Sequence, residues 1–332
     1  MRRVPGIRRR ETRQAEAALR SRGHPPKSLG NDLRAERRAE LTRAFDRAPE
    51  TGGAVGLSIK QLSANVGAQI EGVDLAGESD PSMIAAIRAA LLEHQVLVFR
   101  NQDLTPESHI AFSKHFGEIK LPPVATAHGG PPEINVIDQT DPRGEGADAW
   151  HADNTYTPTP PMGSLLRVLQ LPAVGGDTAF ASMYAAYEAL TPSIRSLCDG
   201  LAAVHDVTGS ITKAIARGHS VANLADIQKK LPPVEHPVVI VHPETGRRAL
   251  FVNVNSTTRL VGLSEAESEM LLRFLFEHVK QPEFQARVRW DTRTLVFLDN
   301  RCTQHYAVAD YRERRILHRV AVEGDRPVGV RV

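Results

Sequence analysis

The sequence predicts a mainly β protein, a sandwich or barrel with flanking helices, and three observations support this fold class. Short apolar segments rich in β-branched residues recur between Gly and Pro turns from about residue 134 onward. Helical patterns are few, and they flank or interrupt these segments. The length of 332 residues, with 41% hydrophobic and 24% charged residues, suits one large or two modest globular domains.

The first elements are predicted by their caps and apolar runs. Residues 58–72 have the pattern of a short strand followed by a turn. Asp80 is a favourable N-cap, and the proline after it suits the first turn of a helix that extends to about residue 94. The run QVLVFR at 95–100 is typical of a buried strand. Thr105 begins a second helix, which we expect to end near residue 117.

The rest of the chain is strand-rich and is interrupted by two helices and one long insertion. One helix is predicted over 184–200, and the other begins at Ser264 with a capping box and continues to about residue 280. The run PETG at 243–246 indicates a hairpin turn. Residues 208–233 are polar and are predicted to form a mobile insertion, of the kind that often serves as a lid. The candidate strands are 134–138, 164–170, 177–182, 202–207, 236–242, 249–255, 284–290, 294–298 and 315–323.

The charge is distributed unevenly between the N-terminal segment and the remaining chain. Residues 1–56 hold 14 Lys+Arg and 7 Asp+Glu, a net charge of +7, whereas the remainder holds 27 and 32, a net charge of −5. The segment has few large apolar residues, so we expect a basic, disordered arm of residues 1–56, with a short helix near 33–47, ahead of one domain of residues 57–332. Nucleic-acid binding by this arm is the alternative, but the arm has no groove-binding motif, which favours a solvated tail.

The composition also excludes several classes of protein. No segment approaches the roughly 18 consecutive apolar residues that a membrane span needs, and no apolar stretch follows the basic N-terminus as it would in a secretory signal. Cys198 and Cys302 stand in unrelated contexts, which excludes a disulfide scaffold and suits a reducing compartment. We therefore expect a cytoplasmic protein with no membrane partner.

A His-x-Asp pair and one distant histidine are the candidate metal ligands. On an extended strand His151 and Asp153 would face one point, with their Cα atoms roughly 6.5 Å apart. Together with His305 they can occupy one face of an iron(II) ion and leave three positions open for substrate and oxygen chemistry. The pair His242 and Glu244 has similar spacing, but it lies in the predicted hairpin turn, so we interpret these two as turn residues.

Two arginines on the last predicted strand complete the candidate site. Arg315 and Arg319 share one face of that strand, with Cα atoms about 13 Å apart, and an inward-facing arginine is costly unless an anion pairs with it. Internal ion pairs with Asp or Glu are one possibility, and anionic ligands are the other. An arginine just beyond the last metal ligand is well placed to hold an anionic co-substrate against the metal.

Four stretches give the chain a family resemblance: WHADNTY at 150–156, LPAVGGDTAFASMYAAY at 171–187, DNRCTQHYAVADY at 299–311 and RRILHRVAVEGDR at 314–326. With them, residues 57–330 resemble the taurine dioxygenase family of Fe(II)/2-oxoglutarate-dependent oxygenases, which includes the 2,4-dichlorophenoxyacetate, phenoxypropionate and alkylsulfate dioxygenases. The resemblance implies a double-stranded β-helix, the jelly roll of the cupins. It also implies that homo-oligomers form, although no interface is readable in the sequence.

The resemblance implies a role for each candidate residue. His151, Asp153 and His305 are expected to bind Fe(II), Arg315 and Thr178 to bind the C5 carboxylate of 2-oxoglutarate, and Arg319 to bind an anionic substrate. The implied reaction consumes O₂ and 2-oxoglutarate, hydroxylates a C–H bond of a small anionic molecule, and releases succinate and CO₂. Arg314 competes with Arg315, because the loop before them looks one residue shorter than in taurine dioxygenase.

The departures from the family pattern concern the substrate pocket. Leu298 stands where many members have a tryptophan beside the metal, and Pro122, Ala125 and Ala147 stand where taurine dioxygenase has polar residues. These differences argue against taurine itself and favour a more apolar substrate. The alternative function is a non-catalytic jelly-roll protein that binds a metal or ligand, but all three metal ligands are present, which favours an enzyme.

Overall fold

The computed structural model describes residues 57–77, 80–122, 130–143, 147–216 and 223–331. The predicted N-terminal arm, with its short helix, lies outside the described residues, and so does Ala125. None of the helices within the described ranges has the length and apolar composition needed to cross a membrane.

The structure consists mainly of strands, and the helices lie at its periphery. The strands are β1 (Ser58–Gln61), β2 (Ala68–Glu71), β3 (Val96–Phe99), β4 (Ile119–Lys120), β5 (Ile134–Gln139), β6 (Gly163–Gln170), β7 (Thr178–Ser182), β8 (Ala202–His205), β9 (Val234–Pro237), β10 (Val239–Val241), β11 (Arg248–Leu250), β12 (Thr257–Leu260), β13 (Gln285–Val288), β14 (Leu295–Asp299), β15 (Thr303–Ala307) and β16 (Arg315–Val322). The helices are α1 (Pro81–His94), α2 (Pro106–Lys114), α3 (Met183–Ala189), α4 (Pro192–Asp199), α5 (Thr208–Ala216), α6 (Leu224–Lys230) and α7 (Glu265–His278).

Two sheets pack face to face and enclose the interior. The major sheet has the strand order β1-β2-β3-β14-β6-β16-β4, with β5 also paired to β16, and the minor sheet has the order β13-β7-β15. A buried cluster joins the sheets, with Val98, Leu166 and Leu317 from the major sheet against Phe180 and Val288 from the minor sheet. This is the jelly-roll sandwich that the sequence predicted.

The helices cover the outer faces of both sheets. Leu97 and Phe99 on β3 pack beneath α1 and α2, whereas Val96 and Val98 face the interior. Strand β3 is therefore buried on both faces, which explains why its sequence is continuously apolar rather than alternating. The outer face of β7 packs against the minor-sheet helices α3 and α7. The metal-ligand candidates lie on the opposite, inner side.

The predicted helix caps are confirmed. The side chain of Asp80 accepts a hydrogen bond from the Ser82 amide at the start of α1. Thr105 caps α2 in the same way, and Ser264 and Glu267 form a reciprocal capping box at the start of α7. The predicted turn at 243–246 joins the antiparallel strands β10 and β11, and Gly246 adopts φ 66° there.

The structure corrects several element predictions. The single helix expected over 184–200 is two helices, α3 and α4, because Pro192 has no N–H for the helix ladder and forces the preceding Thr191 into an extended conformation. The insertion at 208–233 contains α5 and α6, with Asp206 bonding the Thr208 amide and Asn223 capping α6. A lid function for the insertion stays a prediction.

The sequence did not predict strands β4, β12 and β15, and the segment 58–72 forms two strands rather than one. One predicted strand is also shorter than expected. Strand β15, with the sequence TQHYA, is too polar to show a strand pattern, yet it carries His305. Strand β12 pairs with β8 in a small sheet that the sequence did not indicate. The strand predicted over 249–255 ends at Leu250, and the segment predicted over 236–242 divides into β9 and β10.

Candidate active site

His151 and His305 are joined by a backbone bridge at the inner edge of the minor sheet. The His151 amide donates to the His305 carbonyl at 3.1 Å, and the His305 amide donates to the His151 carbonyl at 2.8 Å. The sequence predicted an extended strand through His151 and Asp153. The structure shows only this isolated bridge, and a turn begins at Asp153. The bridge rather than a strand brings the two histidines together.

The three predicted metal ligands converge at one point. One ligand atom from each of His151, Asp153 and His305 lies within 4.8 Å of the others. Asp153 and His305 are 5% and 8% exposed, whereas His151 is half-buried, so the cluster lies in the interior with one histidine partly open to solvent. Two imidazoles and one carboxylate, all from one side, are a donor set that fits a non-haem Fe(II) ion.

Hydrogen bonds orient two of these ligands. The Nδ1 atom of His151 donates to the Ala149 carbonyl at 2.7 Å, because a carbonyl oxygen can only accept, and this leaves the Nε2 lone pair free for a metal. The carboxylate of Asp153 accepts from Ser164 Oγ at 2.9 Å and from Arg319 Nη1 at 2.6 Å. Both contacts direct the carboxylate and stabilise its charged form.

The backbone of Asp153 is held independently of its side chain. Asn300 accepts from the Asp153 amide at 2.7 Å and donates to its carbonyl at 3.0 Å. A further bond joins Asn300 to the Pro161 carbonyl at 3.1 Å. Asn300 is 1% exposed and all of these bonds are internal, so it fixes the start of the turn that presents the carboxylate.

The ionisation states suit metal binding. Burial disfavours the charged form of Asp153, but the positive charge of Arg319 and the hydrogen bond from Ser164 favour it, and the pKa of Asp153 falls well below its usual range. Burial, reinforced by His151, lowers the pKa of His305 to about 3. A charged carboxylate and a neutral imidazole are the protonation states that metal coordination requires.

A second polar cluster joins β7, β16 and the segment after β13. Arg315 is 2% exposed, and its Nη2 lies 3.4 Å from Thr178 Oγ1. The indole Nε1 of Trp290 donates to the same hydroxyl oxygen at 3.0 Å, and the Trp290 ring lies 5.7 Å from the guanidinium carbon. Burial lowers the pKa of Arg315, and its buried Nε meets no acceptor among the described residues. The guanidinium therefore has unused donor capacity.

The glycine pair ahead of Thr178 lets the chain close around Arg315. Gly175 and Gly176 have φ values of 87° and 74°, which residues with a side chain rarely adopt. A Cβ atom on Gly176 would lie 3.1 Å from Arg315 Cδ. Asp310 accepts from the Gly176 amide at 2.8 Å and holds the loop in place. The GGDT sequence is thus needed for close packing over the arginine.

Arg314, the competing arginine, lies in a different environment. Its side chain is 56% exposed and makes two bonds to Asp138, at 2.8 and 2.5 Å. Such an exposed pair already satisfies the charge of Arg314, whereas the neighbouring Arg315 points into the interior. The geometry therefore favours Arg315 as the anion-binding residue.

Arg319 takes the first of the two possibilities that the sequence left open, an internal ion pair. Its Nη1 bonds Asp153 Oδ1 at 2.6 Å. The partner is a predicted metal ligand 166 residues away in the chain, which sequence distance could not show. The Nε of Arg319 is nevertheless buried without an acceptor among the described residues. The guanidinium that bonds Asp153 therefore has unused donor capacity of its own.

A second group of ligand-type residues, His242, Asp299 and Cys302, lies within 4.8 Å. His242 lies at the predicted turn, as expected, but it is also 1% exposed and bonds Asp299 at 3.0 Å. Arg301 makes two further bonds to the Asp299 carboxylate, at 2.9 and 2.7 Å. Both ring nitrogens of His242 are also in use, Nε2 with Asp299 and Nδ1 with the amides of Glu244 and Thr245, so the group is an internal ion-pair network that anchors the segment before β15.

Three residues that shape the site could not be assigned a role from the sequence alone. Asn300 had a signal, because it lies in the DNR run ahead of His305. Trp290 had a weaker one, as one of only two tryptophans. Ser164 had none, since a serine on a strand is unremarkable in sequence. Of the predicted pocket positions, Pro122 and Ala147 are described, and the Ala147 carbonyl accepts from the Ala307 amide at 2.8 Å.

Comparison with known proteins gives consistent matches over this domain. Residues 58–321 match the family model described as taurine catabolism dioxygenase TauD, TfdA family. An alkylsulfatase of Acinetobacter baylyi is 36% identical over 82% of this chain and 87% of its own length. An alpha-ketoglutarate-dependent sulfate ester dioxygenase of Pseudomonas putida is 36% identical over 83% and 93% of the two chains. The crystal structure of a taurine dioxygenase from Burkholderia xenovorans superimposes with a TM-score of 0.71 at 40% identity, covering 82% of this chain and 91% of that chain.

Proposed function

Because this chain belongs to the taurine catabolism dioxygenase TauD, TfdA family, we propose that its primary substrate is a small organic anion with an apolar body. The enzyme class is given by the family: it is a 2-oxoglutarate-dependent dioxygenase that uses Fe(II) and O₂. It hydroxylates a C–H bond of its substrate and converts 2-oxoglutarate to succinate and CO₂.

His151, Asp153 and His305 would hold the iron, as their donor set and shared point of convergence suggest. The bound iron supplies the oxygen chemistry, and the protein orients the reactants around it. Ser164 and Arg319 keep the Asp153 carboxylate charged and directed toward the cluster. A carboxylate ligand supports hydroxylation rather than halogenation, because a halogenase of this type needs that position for a halide.

Arg315 and Thr178 would bind the C5 carboxylate of 2-oxoglutarate. The support is electrostatic: Arg315 is buried, and burial lowers the pKa of its guanidinium even though Tyr311 and the charge of Asp177 act in the opposite direction. An unpaired guanidinium in the interior is costly, and an incoming carboxylate would offset that cost through a bidentate contact. The exposed pairing of Arg314 with Asp138 supports the choice of Arg315.

The position of Arg319 carries the proposal on substrate class. One nitrogen of its guanidinium contacts the metal ligand Asp153, and its Nε is buried without a described acceptor. A substrate anion beside this edge would lie close to the metal, so the carbon attacked would be a few bonds from the charged group. Relatives of this chain are named for alkyl sulfates and sulfate esters, and others for phenoxypropionate. A sulfonate, sulfate ester or aryloxyalkanoate therefore fits the site.

The products follow from the group carried by the hydroxylated carbon. If that carbon bears sulfate, sulfonate or an aryloxy group, the new alcohol collapses to a carbonyl compound and releases the anion or phenol. Pro122 and Ala147 offer no polar side chain to the rest of the substrate, which favours an alkyl or aryl body over the amine of taurine.

The test is a succinate-release screen across sulfonates, alkyl sulfates, aryloxyalkanoates and amino acids, followed by matched acid and ester pairs of the best substrate. We expect the acid to be preferred at least tenfold, which needs only about 1.4 kcal/mol. Arg319→Ala should remove that preference. A neutral or cationic best substrate on which Arg319→Ala is fully active would overturn the proposed substrate class.

The contact with Asp153 requires a control variant. Ser164→Ala removes the other hydrogen bond to the Asp153 carboxylate and leaves Arg319 in place. If Arg319 acted only through Asp153, Arg319→Ala and Ser164→Ala would each lower activity toward the acid and toward the ester by the same factor. Loss of acid preference in Arg319→Ala alone would identify a substrate contact.

The cellular compartment is also a proposal. Cys198 and Cys302 are free and buried, and burial raises the pKa of both thiols. Two separate thiols with no disulfide between them suit a reducing cytoplasm.

A further inference from the structure

Trp290 contacts both groups that are proposed to receive the C5 carboxylate. It follows β13, is 6% exposed, and belongs to the buried cluster between the two sheets. Its N–H lies 3.0 Å from Thr178 Oγ1, and its ring lies 5.7 Å from the guanidinium carbon of Arg315. A buried indole N–H needs an acceptor, and here the acceptor is one of the two groups proposed to receive the carboxylate.

The number of donors around the Thr178 hydroxyl determines the direction in which its proton points. A hydroxyl has one proton to donate and two lone pairs to accept with, whereas an indole N–H and a guanidinium can only donate. Trp290 Nε1 at 3.0 Å and Arg315 Nη2 at 3.4 Å therefore both use Thr178 as an acceptor. Both lone pairs are occupied, and no described residue accepts the hydroxyl proton.

We propose that Trp290 is a positioning residue that commits the Thr178 hydroxyl to donate its proton to the C5 carboxylate of 2-oxoglutarate. Without the indole N–H, the hydroxyl is free to rotate, and the directed donor is lost. This inference rests on the proposed roles of Arg315 and Thr178. Preference for a ligand with a terminal carboxylate would then depend on Trp290, although Trp290 does not itself contact 2-oxoglutarate.

The experiment compares two ligands that differ only at the far end. 2-Oxoglutarate carries the C5 carboxylate, and 2-oxopentanoate has the same chain length without it. Binding of each to the Mn(II)-loaded protein is measured by calorimetry, which needs no turnover. We expect Trp290→Phe to weaken 2-oxoglutarate about 5- to 10-fold, the scale of one hydrogen bond, and to change 2-oxopentanoate less than twofold.

A double-mutant cycle tests whether Trp290 acts through Thr178. Thr178→Val should weaken 2-oxoglutarate by a similar factor, and adding Trp290→Phe in that background should cost less than twofold more. If the two substitutions reduced the affinity for 2-oxoglutarate independently, so that their fold-changes multiplied, the proposal would be overturned. An equal loss of affinity for both ligands in Trp290→Phe would also overturn it. Val288→Ala is the packing control, because Val288 pairs with Thr178 across the sheet and belongs to the same cluster.

Two outcomes separate this inference from the proposed function. If the wild-type protein binds both ligands equally, the assignment of Arg315 and Thr178 to the carboxylate fails. If the wild type discriminates and Trp290→Phe retains full discrimination, only the role of Trp290 fails. If Trp290→Phe does not fold, the same binding measurements are made on Thr178→Ser and Thr178→Val. Tight binding of 2-oxoglutarate by the valine variant would overturn the proposal, because Trp290 can act only through that hydroxyl.

Discussion

Asn300 holds the peptide backbone of Asp153 in both directions, accepting from its amide at 2.7 Å and donating to its carbonyl at 3.0 Å. The two residues are 147 positions apart in the chain, and the contact joins the turn after His151 to the segment that leads into β15. Because His305 lies on β15, the side-chain amide of Asn300 fixes the segment that carries Asp153 relative to the segment that carries His305. The geometry of the candidate metal site is therefore maintained by a residue that offers no ligand.

Replacement of Asn300 should weaken metal binding without removing a ligand. We expect Asn300→Ala to lower the affinity for Fe(II) or Mn(II) about 10- to 100-fold, the usual effect of losing a group that orients metal ligands. Anaerobic metal titration measures this. Asn65→Ala, which removes an exposed side chain bonded to the Glu283 carbonyl, is the control. Equal affinities in the two variants would contradict the role of Asn300.

The ligand assignment predicts one Fe(II) per chain. His151→Ala combined with His305→Ala leaves a single carboxylate at the cluster, which cannot hold the ion at micromolar concentration. The wild type should bind one equivalent under anaerobic conditions and develop a weak visible absorption band when 2-oxoglutarate is added. His115→Ala, which removes an exposed histidine at the end of α2, should behave as wild type. Unchanged iron binding in the double variant would refute the assignment.

The adjacent arginines give a matched pair of variants. Arg315→Ala removes the buried guanidinium and should weaken 2-oxoglutarate by about 1.5–3 kcal/mol, or roughly 10- to 150-fold. Arg314→Ala breaks an exposed pair with Asp138, which contributes little and should leave the affinity unchanged. Calorimetric titration of the metal-loaded variants measures both effects. The reverse result would show that the alignment of the two arginines is wrong by one position.

The core of the site was predictable from sequence, and its supporting contacts were not. His151 and Asp153 lie within one short motif, and the inward face of the last strand follows from a period of two. These patterns, together with the family resemblance, selected the residues, although the strand expected through His151 is an isolated bridge. The contacts of Asp153 with Arg319 and Asn300 join residues far apart in the chain, and only the folded chain shows them. Strand β15 escaped prediction because its pairing with β7, rather than its own propensity, makes it a strand.

Two glycines with similar backbone angles should respond differently to substitution. Gly176 and Gly246 have φ values of 74° and 66°, so an alanine at either position costs about 1–2 kcal/mol in backbone strain. Only at Gly176 does the added Cβ also meet Arg315, 3.1 Å from its Cδ, whereas nothing lies within 4 Å at Gly246. Both variants should unfold at lower denaturant concentration, and only Gly176→Ala should also lose affinity for 2-oxoglutarate. Loss of affinity in both would mean that strain alone disturbs the site.

The buried histidine of α2 should make the fold sensitive to acid. His109 is 0% exposed, and burial together with the positive charge of Arg167 and the nearby His318 lowers its pKa to about 3. The unfolded chain, with an ordinary histidine pKa of about 6.5, therefore binds a proton that the folded chain excludes. The neutral, buried His109 stabilises the folded state fully above about pH 6.5. Between about pH 6.5 and 3 this contribution to the free energy of unfolding is lost at about 1.4 kcal/mol per pH unit. In urea unfolding of the metal-free protein between pH 6 and 4.5, His109→Gln should reduce the slope of unfolding free energy against pH by about that amount. The matched control is His115→Gln, and an equal reduction in both variants would show that burial of His109 is not the cause.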